Sequence, residues 1–308
     1  MPYVFSFILN ITNKLPQSHD TCWLAATEPE VLSDRRQTSD ETDDMYGWVE
    51  MKLPHTKYTL QIRTVNSSTS LLDSYVGEEL WDAATLFCAH LCVSSNLQAD
   101  STAPLCDVRN KRVLEIGAGC GILGMCAATL GAKDVLCTDY IKPVLENLAF
   151  NLQHNQCSIF GGNNPKGIEE SSCLTSAPLD WRQFALEDVQ ATEWANRQWN
   201  TDVCDHSNGK ASQFEPDVVV GSALVYSAEG ALFCADTIYH FIFNKGSREA
   251  WVLQMPERPG FHLFLRRLED LGMTYKCYDI SKHIYDIACN EMGTIKSPRE
   301  SFALYIIT

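Results

Sequence analysis

Several things are missing from this chain, and each absence narrows its chemistry. No two cysteines stand in the Cys-x-x-Cys spacing, and Cys88 with Cys92 has no second pair nearby, so no metal centre is expected. No apolar run reaches the length of a bilayer span, and the hydrophobic start, Tyr3 to Ile11, lacks the basic residues and small-residue cleavage site of a secretion signal. That start reads as an ordinary strand. Positive charge is short: 24 Lys and Arg stand against 39 Asp and Glu, a net −15. This balance disfavours nucleic-acid and anionic-membrane binding and suits a partner with a basic, lysine-bearing segment. Cysteine itself is not scarce, but thirteen is odd, the chain is long, and Cys126, Cys137 and Cys234 lie in apolar segments. They read as reduced core residues rather than a disulfide framework, which gives the cytosol or nucleus as the expected compartment.

What is present is concentrated between Arg112 and Tyr140. Val113 to Ile116 reads as a buried strand, Gly117, Gly119 and Gly121 as a turn, Leu123 to Leu130 as a helix, and Val135 to Thr138 as a second buried strand ending on Asp139. Glycines directly after a strand let backbone approach a ligand that a Cβ would block, and the next helix adds unpaired N–H groups. An acidic residue at the tip of the second strand can accept hydrogen bonds from both hydroxyls of a ribose. The pattern therefore calls for a nucleoside. A dinucleotide fingerprint needs a glycine at the sixth position from Gly117, and Ile122 stands there. It can be recovered only from Gly119, Gly121 and Gly124, two residues farther from the strand.

The register that does fit is acidic-apolar-Gly-x-Gly-x-Gly, with Glu115 inside the strand. This resembles motif I of the seven-strand S-adenosylmethionine-dependent methyltransferases. Together with GEELWDAATLFCAHL (residues 77–91) and Leu179-Asp180-Trp181, it resembles more narrowly the protein lysine methyltransferases of methyltransferase family 16. The resemblance covers residues 75–308 and implies an α/β, Rossmann-like seven-strand sheet with helices on both faces. It implies S-adenosylmethionine as methyl donor, no metal, and a protein acceptor with lysine favoured. Gly117, Ala118, Gly119 and Gly121 would surround the methionine part, Asp139 the ribose, and Trp181 the adenine. Trp81 would line the donor site, Glu115 would fix the loop from beneath, and the backbone of Ser222 would lie near the donor.

Residues 1–74 read as an N-terminal extension, with an alternating strand over Lys57 to Val65 and a solvated acidic run at Asp40 to Asp44. Residues 77–91 read as a helix with Leu80, Ala84, Phe87 and Leu91 on its core face. Lys142 to Asn155 reads as another, with Val144, Leu145, Leu148 and Leu152 inward and asparagines marking its end. Two inserts follow, near 157–176 and 185–215, the second carrying Trp194 and Trp199. Pro216 to Tyr226 reads as a fully buried strand, followed by helix 228–243, strand 250–255, helix 260–271, and strands 274–280 and 302–307.

One departure from the family stands out. Its members carry an acidic-x-x-aromatic tetrad at the end of strand four, and here the tetrad is Ala223-Leu224-Val225-Tyr226. The carboxylate is absent. Tyr226 remains as the residue placed to wall the acceptor channel, and Glu229 could substitute only if the following loop folds back. Three readings follow: an active protein methyltransferase, a donor-binding but catalytically silent interaction module, and a small-molecule methyltransferase or, last, a nicotinamide-dependent enzyme.

Overall fold

The computed structural model describes residues 46–65, 77, 79–95, 104–160, 173–186, 209–293 and 295–308. The apolar start, the acidic run and the bodies of both inserts, with Trp194 and Trp199, lie outside the described residues.

Tyr46–Lys52 (β1) and Thr59–Val65 (β2) form an antiparallel hairpin, with Leu60 and Ile62 buried and Gln61 exposed, as alternation requires. β1 has no clean alternation, and the sequence does not announce it. Arg112–Glu115 (β3), Asp134–Asp139 (β4), Cys173–Pro178 (β5), Val218–Ser222 (β6) and Glu249–Gln254 (β7) are short and largely apolar, and they pair in parallel. Tyr275–Asp279 (β8) and Ala303–Ile307 (β9) complete a seven-strand sheet in the order β5-β4-β3-β6-β7-β9-β8, with β9 antiparallel to both neighbours. The chain runs outward from β3 to β5 and then returns to β6 on the other side of β3. At such a switch point the strand ends open a crevice.

Helices cover both faces. Asp82–Ser95 (α1), Ile122–Thr129 (α2) and Lys142–Phe160 (α3) pack on one face together with the hairpin. Gly209–Gln213 (α4), Ala228–Tyr239 (α5) and Phe261–Asp270 (α6) pack on the other. Lys282–Ile287 (α7) joins the first face. Between α5 and α6 the Arg267 guanidinium donates to Asp236 at 2.7 Å, and Asp236 also accepts the Leu186 N–H, so this buried ion pair is satisfied. The described cysteines are free thiols, seven of them buried.

Several of these elements differ from expectation. α1 is buried from Ala83 to Ser94 all round, because α2, α7 and the sheet enclose it, so it has no solvent face. α3 continues to Phe160 and β5 starts at Cys173, which confines the first insert to 161–172. Leu179-Asp180-Trp181 lies just past β5, where Asp180 caps a turn over Trp181–Phe184. β6 stops at Ser222, because Ala223 turns to φ 51° and leaves the extended conformation.

The asparagines of α3 do not end it. Asn147, Asn151 and Asn155 recur every fourth residue on the buried face. Asn155 accepts the Gln61 N–H at 2.9 Å and donates to the Gln61 carbonyl at 2.8 Å. Asn151 accepts the Arg63 N–H at 2.8 Å and donates to the carbonyls of Arg63 and Cys120, each at 3.1 Å. A carboxamide carries the same donor and acceptor as a peptide group, so this row replaces a neighbouring strand along the free edge of β2. It also ties the hairpin to the glycine loop through Cys120. Asn151→Ala strands these buried groups and should lower stability by about 2–4 kcal/mol in urea unfolding. Glu50→Ala, at an exposed strand position, should change it by less than about 0.5 kcal/mol.

Candidate functional site

The turn after β3 can take its shape only with glycine at two positions. Gly117 has φ 60°, and a Cβ there would stand 3.0 Å from Leu224 and 3.3 Å from Trp181. Gly119 has φ 52°, and a Cβ there would stand 2.8 Å from the Gly77 carbonyl oxygen. The turn is therefore wedged between the segment before α1 and the segments after β5 and β6. Asp139, at the tip of β4, accepts the Gly119 N–H at 3.1 Å on one oxygen and the N–H groups of Tyr140 and Ile141 on the other. Burial raises its carboxyl pKa, and these N–H groups oppose that rise.

Around this turn lies a cavity of about 310 Å³. Trp81, Gly117, Ala118, Gly119, Asp139, Trp181, Ser222 and Tyr226 all line it. They come from the ends of four parallel strands and the start of α1, which is where the switch point puts a crevice. Ile141, Leu179 and Leu224 give it apolar walls, and Glu79 sits at its edge. Sequence reasoning did not single these residues out, although Glu79 and Leu179 fall inside stretches that carried the resemblance. Among the described residues no group of His, Cys, Asp and Glu could hold a metal ion.

Gly121, expected around the methionine part, lies off the cavity. Gly121 starts α2, where a Cβ would strike Leu148. Glu115 points beneath α2 and accepts the Gly124 N–H at 2.9 Å. It steadies the helix that follows the loop and does not face the cavity. Gly124 is part of this arrangement, since a Cβ there would stand 2.2 Å from the Cys137 sulfur and 2.7 Å from Glu115. The repeated glycine that could be mistaken for a dinucleotide signal is thus a packing requirement.

Burial raises the Glu115 carboxyl to about 8, against a smaller downward pull from Cys137 and Gly124. Its neutral form is favoured in the fold. The stability it contributes is full below about pH 4.5, where the unfolded chain also holds the proton, and is lost as pH rises through about 8. Glu115→Gln removes that titration. The melting temperature of the variant relative to the wild type should climb between pH 5 and pH 8. A flat difference across this range would show that Glu115 is ionised in the fold.

After β6 the chain is clamped. Gln254, fully buried at the end of β7, accepts the Val225 N–H at 3.2 Å and donates to the Val225 carbonyl at 2.8 Å. Ala223 donates to the Leu253 carbonyl at 3.0 Å. Tyr226 follows, 48% exposed, at the boundary between the cavity and a second depression beside Arg182. Glu229 lies in the first turn of α5 and lines neither space, so it does not fold back to replace the missing carboxylate. Arg258 stacks over the Trp81 ring at 4.8 Å.

A mostly parallel seven-strand sheet with one reversed strand, a glycine turn at its switch point and a carboxylate on the adjacent strand tip form a Rossmann-like fold. Over residues 63–196 the chain matches the family model described as lysine methyltransferase, and the resemblance to methyltransferase family 16 holds over that stretch. The tetrad at Ala223 to Tyr226 lies beyond it. The protein N-lysine methyltransferase METTL21A of Danio rerio is 34% identical over 99 residues, 32% of this chain and 40% of that one. The calmodulin-lysine N-methyltransferase of Arabidopsis thaliana is 24% identical over 168 residues, 54% of this chain and 44% of that one. The chain spans less than two thirds of the length of the curated relatives it matches. Among solved structures, magnesium protoporphyrin IX methyltransferase of Synechocystis, with bound SAH, is 12% identical with a TM-score of 0.41, covering 73% of this chain and 82% of that one.

Proposed function

We propose that this chain is an S-adenosylmethionine-dependent methyltransferase acting on a side chain of a protein, with lysine as the favoured acceptor. The observation that carries the reading is the meeting of Gly117, Gly119, Asp139, Trp181 and Ser222 on one cavity. The donor fits this set. Gly117 and Gly119 line the cavity with bare backbone at positions where a Cβ would clash with neighbouring segments, Asp139 presents a carboxylate for ribose hydroxyls, and the Trp181 face suits a purine. When bound, S-adenosylmethionine supplies an electrophilic methyl group on a sulfonium.

The protein's part is alignment and exclusion of water, which such a displacement chiefly needs. The walls formed by Leu179 and Leu224 keep the cavity dry on two sides, and the clamp of Gln254 on Val225 fixes the turn that carries Tyr226. The Tyr226 ring is placed to attract a cationic acceptor at the cavity mouth. A lysine must lose its proton before it reacts, and desolvation there favours the neutral amine. The net charge of −15 supports a basic acceptor segment, and the resemblance to lysine methyltransferases supports a protein. We place this activity in the cytosol or nucleus.

One observation favours a second reading. Ala223 stands where the family tetrad has a carboxylate, which suits a module that binds donor without turnover. Transfer of labelled methyl groups from S-adenosylmethionine into a cell extract separates the two. The methyltransferase reading predicts a labelled protein band that disappears with Asp139→Ala, and donor binding without any label would sink it. In a calorimetric titration Asp139→Ala should weaken donor affinity by about 1.5–3 kcal/mol, the scale for hydrogen bonds to a charged group. Unchanged affinity would remove Asp139 from the site.

A further inference from the structure

The donor cavity does not stand alone. A neighbouring depression of about 450 Å³ runs from β1 across the start of α1 to the segment before β9. The two spaces share Glu79, Leu80, Trp81 and Ala223 and no other residue. An acceptor lying in the outer depression would therefore reach the donor between Glu79 and Ala223. Ala223 is the position where the family pattern has its carboxylate, and Glu79 lines the same junction.

The acids around both spaces are Glu79, Asp82 and Asp139. Asp139 is occupied by three backbone N–H groups. Asp82 accepts the N–H groups of Lys296 and Ser297 at 3.0 Å and 2.9 Å. Among the described residues the Glu79 carboxylate has no hydrogen-bond or ion-pair partner, and it is exposed. Its backbone is anchored, because the Cys120 thiol donates to the carbonyls of Glu79 at 3.6 Å and Gly77 at 3.7 Å. This holds Glu79 against the glycine loop itself. Arg258 and Lys296 line the outer depression as well, so net charge alone does not draw an amine inward. A carboxylate at the junction would do so.

We infer that Glu79 supplies the missing carboxylate, binding the ammonium of a lysine side chain where the two spaces meet. This rests on the methyltransferase reading above. The carboxylate has moved from the strand-six turn to the segment before α1, and Glu79 acts as a positioning residue that selects a cationic acceptor. Residue 223 lines both spaces as well. Aspartate tolerates the left-handed backbone there better than most residues do, so Ala223→Asp is a compatible rescue.

The test uses the full chain saturated with S-adenosylhomocysteine. The probe is an N-acetylated, C-amidated alanine-lysine-alanine tripeptide, titrated by nuclear magnetic resonance on the Trp81 indole N–H. Glu79→Gln should raise the tripeptide Kd about five- to tenfold, the range for a carboxylate–ammonium contact that keeps some solvent. Its affinity for S-adenosylhomocysteine should stay within twofold of wild type. Glu79→Asp should retain tripeptide binding in large part, and Glu79→Gln combined with Ala223→Asp should restore it. Label transfer into extract should follow the same order. Wild-type tripeptide affinity in Glu79→Gln with donor binding intact overturns the role of Glu79 alone. Failure of the wild type to bind S-adenosylhomocysteine overturns the methyltransferase reading beneath it.

Discussion

The contact between the Asp139 carboxylate and the Gly119 N–H, 3.1 Å long, joins the two parts of the site that ligand recognition needs. It pins the turn after β3 to the tip of β4, and the remaining carboxylate oxygen is held by the start of the next helix. The turn can approach so closely because residues 117 and 119 have no Cβ, and residues 77 and 79 lean on it from the far side. Glu115 and Gly124 hold α2 in place below, and Asn151 bonds the Cys120 carbonyl from α3. Each neighbour of the glycine turn therefore restrains it through backbone groups. A site built this way is shaped before any ligand arrives, which lowers the ordering cost of binding.

Much of this was legible because it is local. The strand, glycine turn, helix and strand from Arg112 to Asp139 lie within thirty residues, and their pattern states both the elements and the ligand-facing positions. The buried parallel strands announce themselves as continuous apolar runs such as Val218 to Val220. What was hidden depends on distant partners. The asparagines of α3 look like a helix end until β2 is placed beside them. The turn at Ala223 looks like strand because nothing in Ala-Leu-Val-Tyr signals a left-handed residue, and it is Gln254, thirty residues on, that secures it. Glu115, expected to fix the loop from beneath, does so by accepting the Gly124 N–H at the start of α2.

The departure at Ala223 also takes on a different meaning in three dimensions. A missing carboxylate in a linear motif suggests a lost activity. In the fold, two separate segments, the turn at Ala223 and the segment that carries Glu79, line the junction between the two spaces. Left-handed alanine is a costly residue at such a turn, by roughly 1 kcal/mol. The turn keeps this backbone shape all the same, held by Leu253 and Gln254.

The central claim is that the register of the glycine turn makes a pocket for a single nucleoside carrying a sulfonium side chain, not for a dinucleotide. A calorimetric titration of the full chain with S-adenosylhomocysteine, and in parallel with reduced nicotinamide dinucleotide, tests it most directly. The account predicts saturable one-to-one binding of S-adenosylhomocysteine and no heat from the dinucleotide. Tight binding of the dinucleotide, or none of S-adenosylhomocysteine, would contradict it.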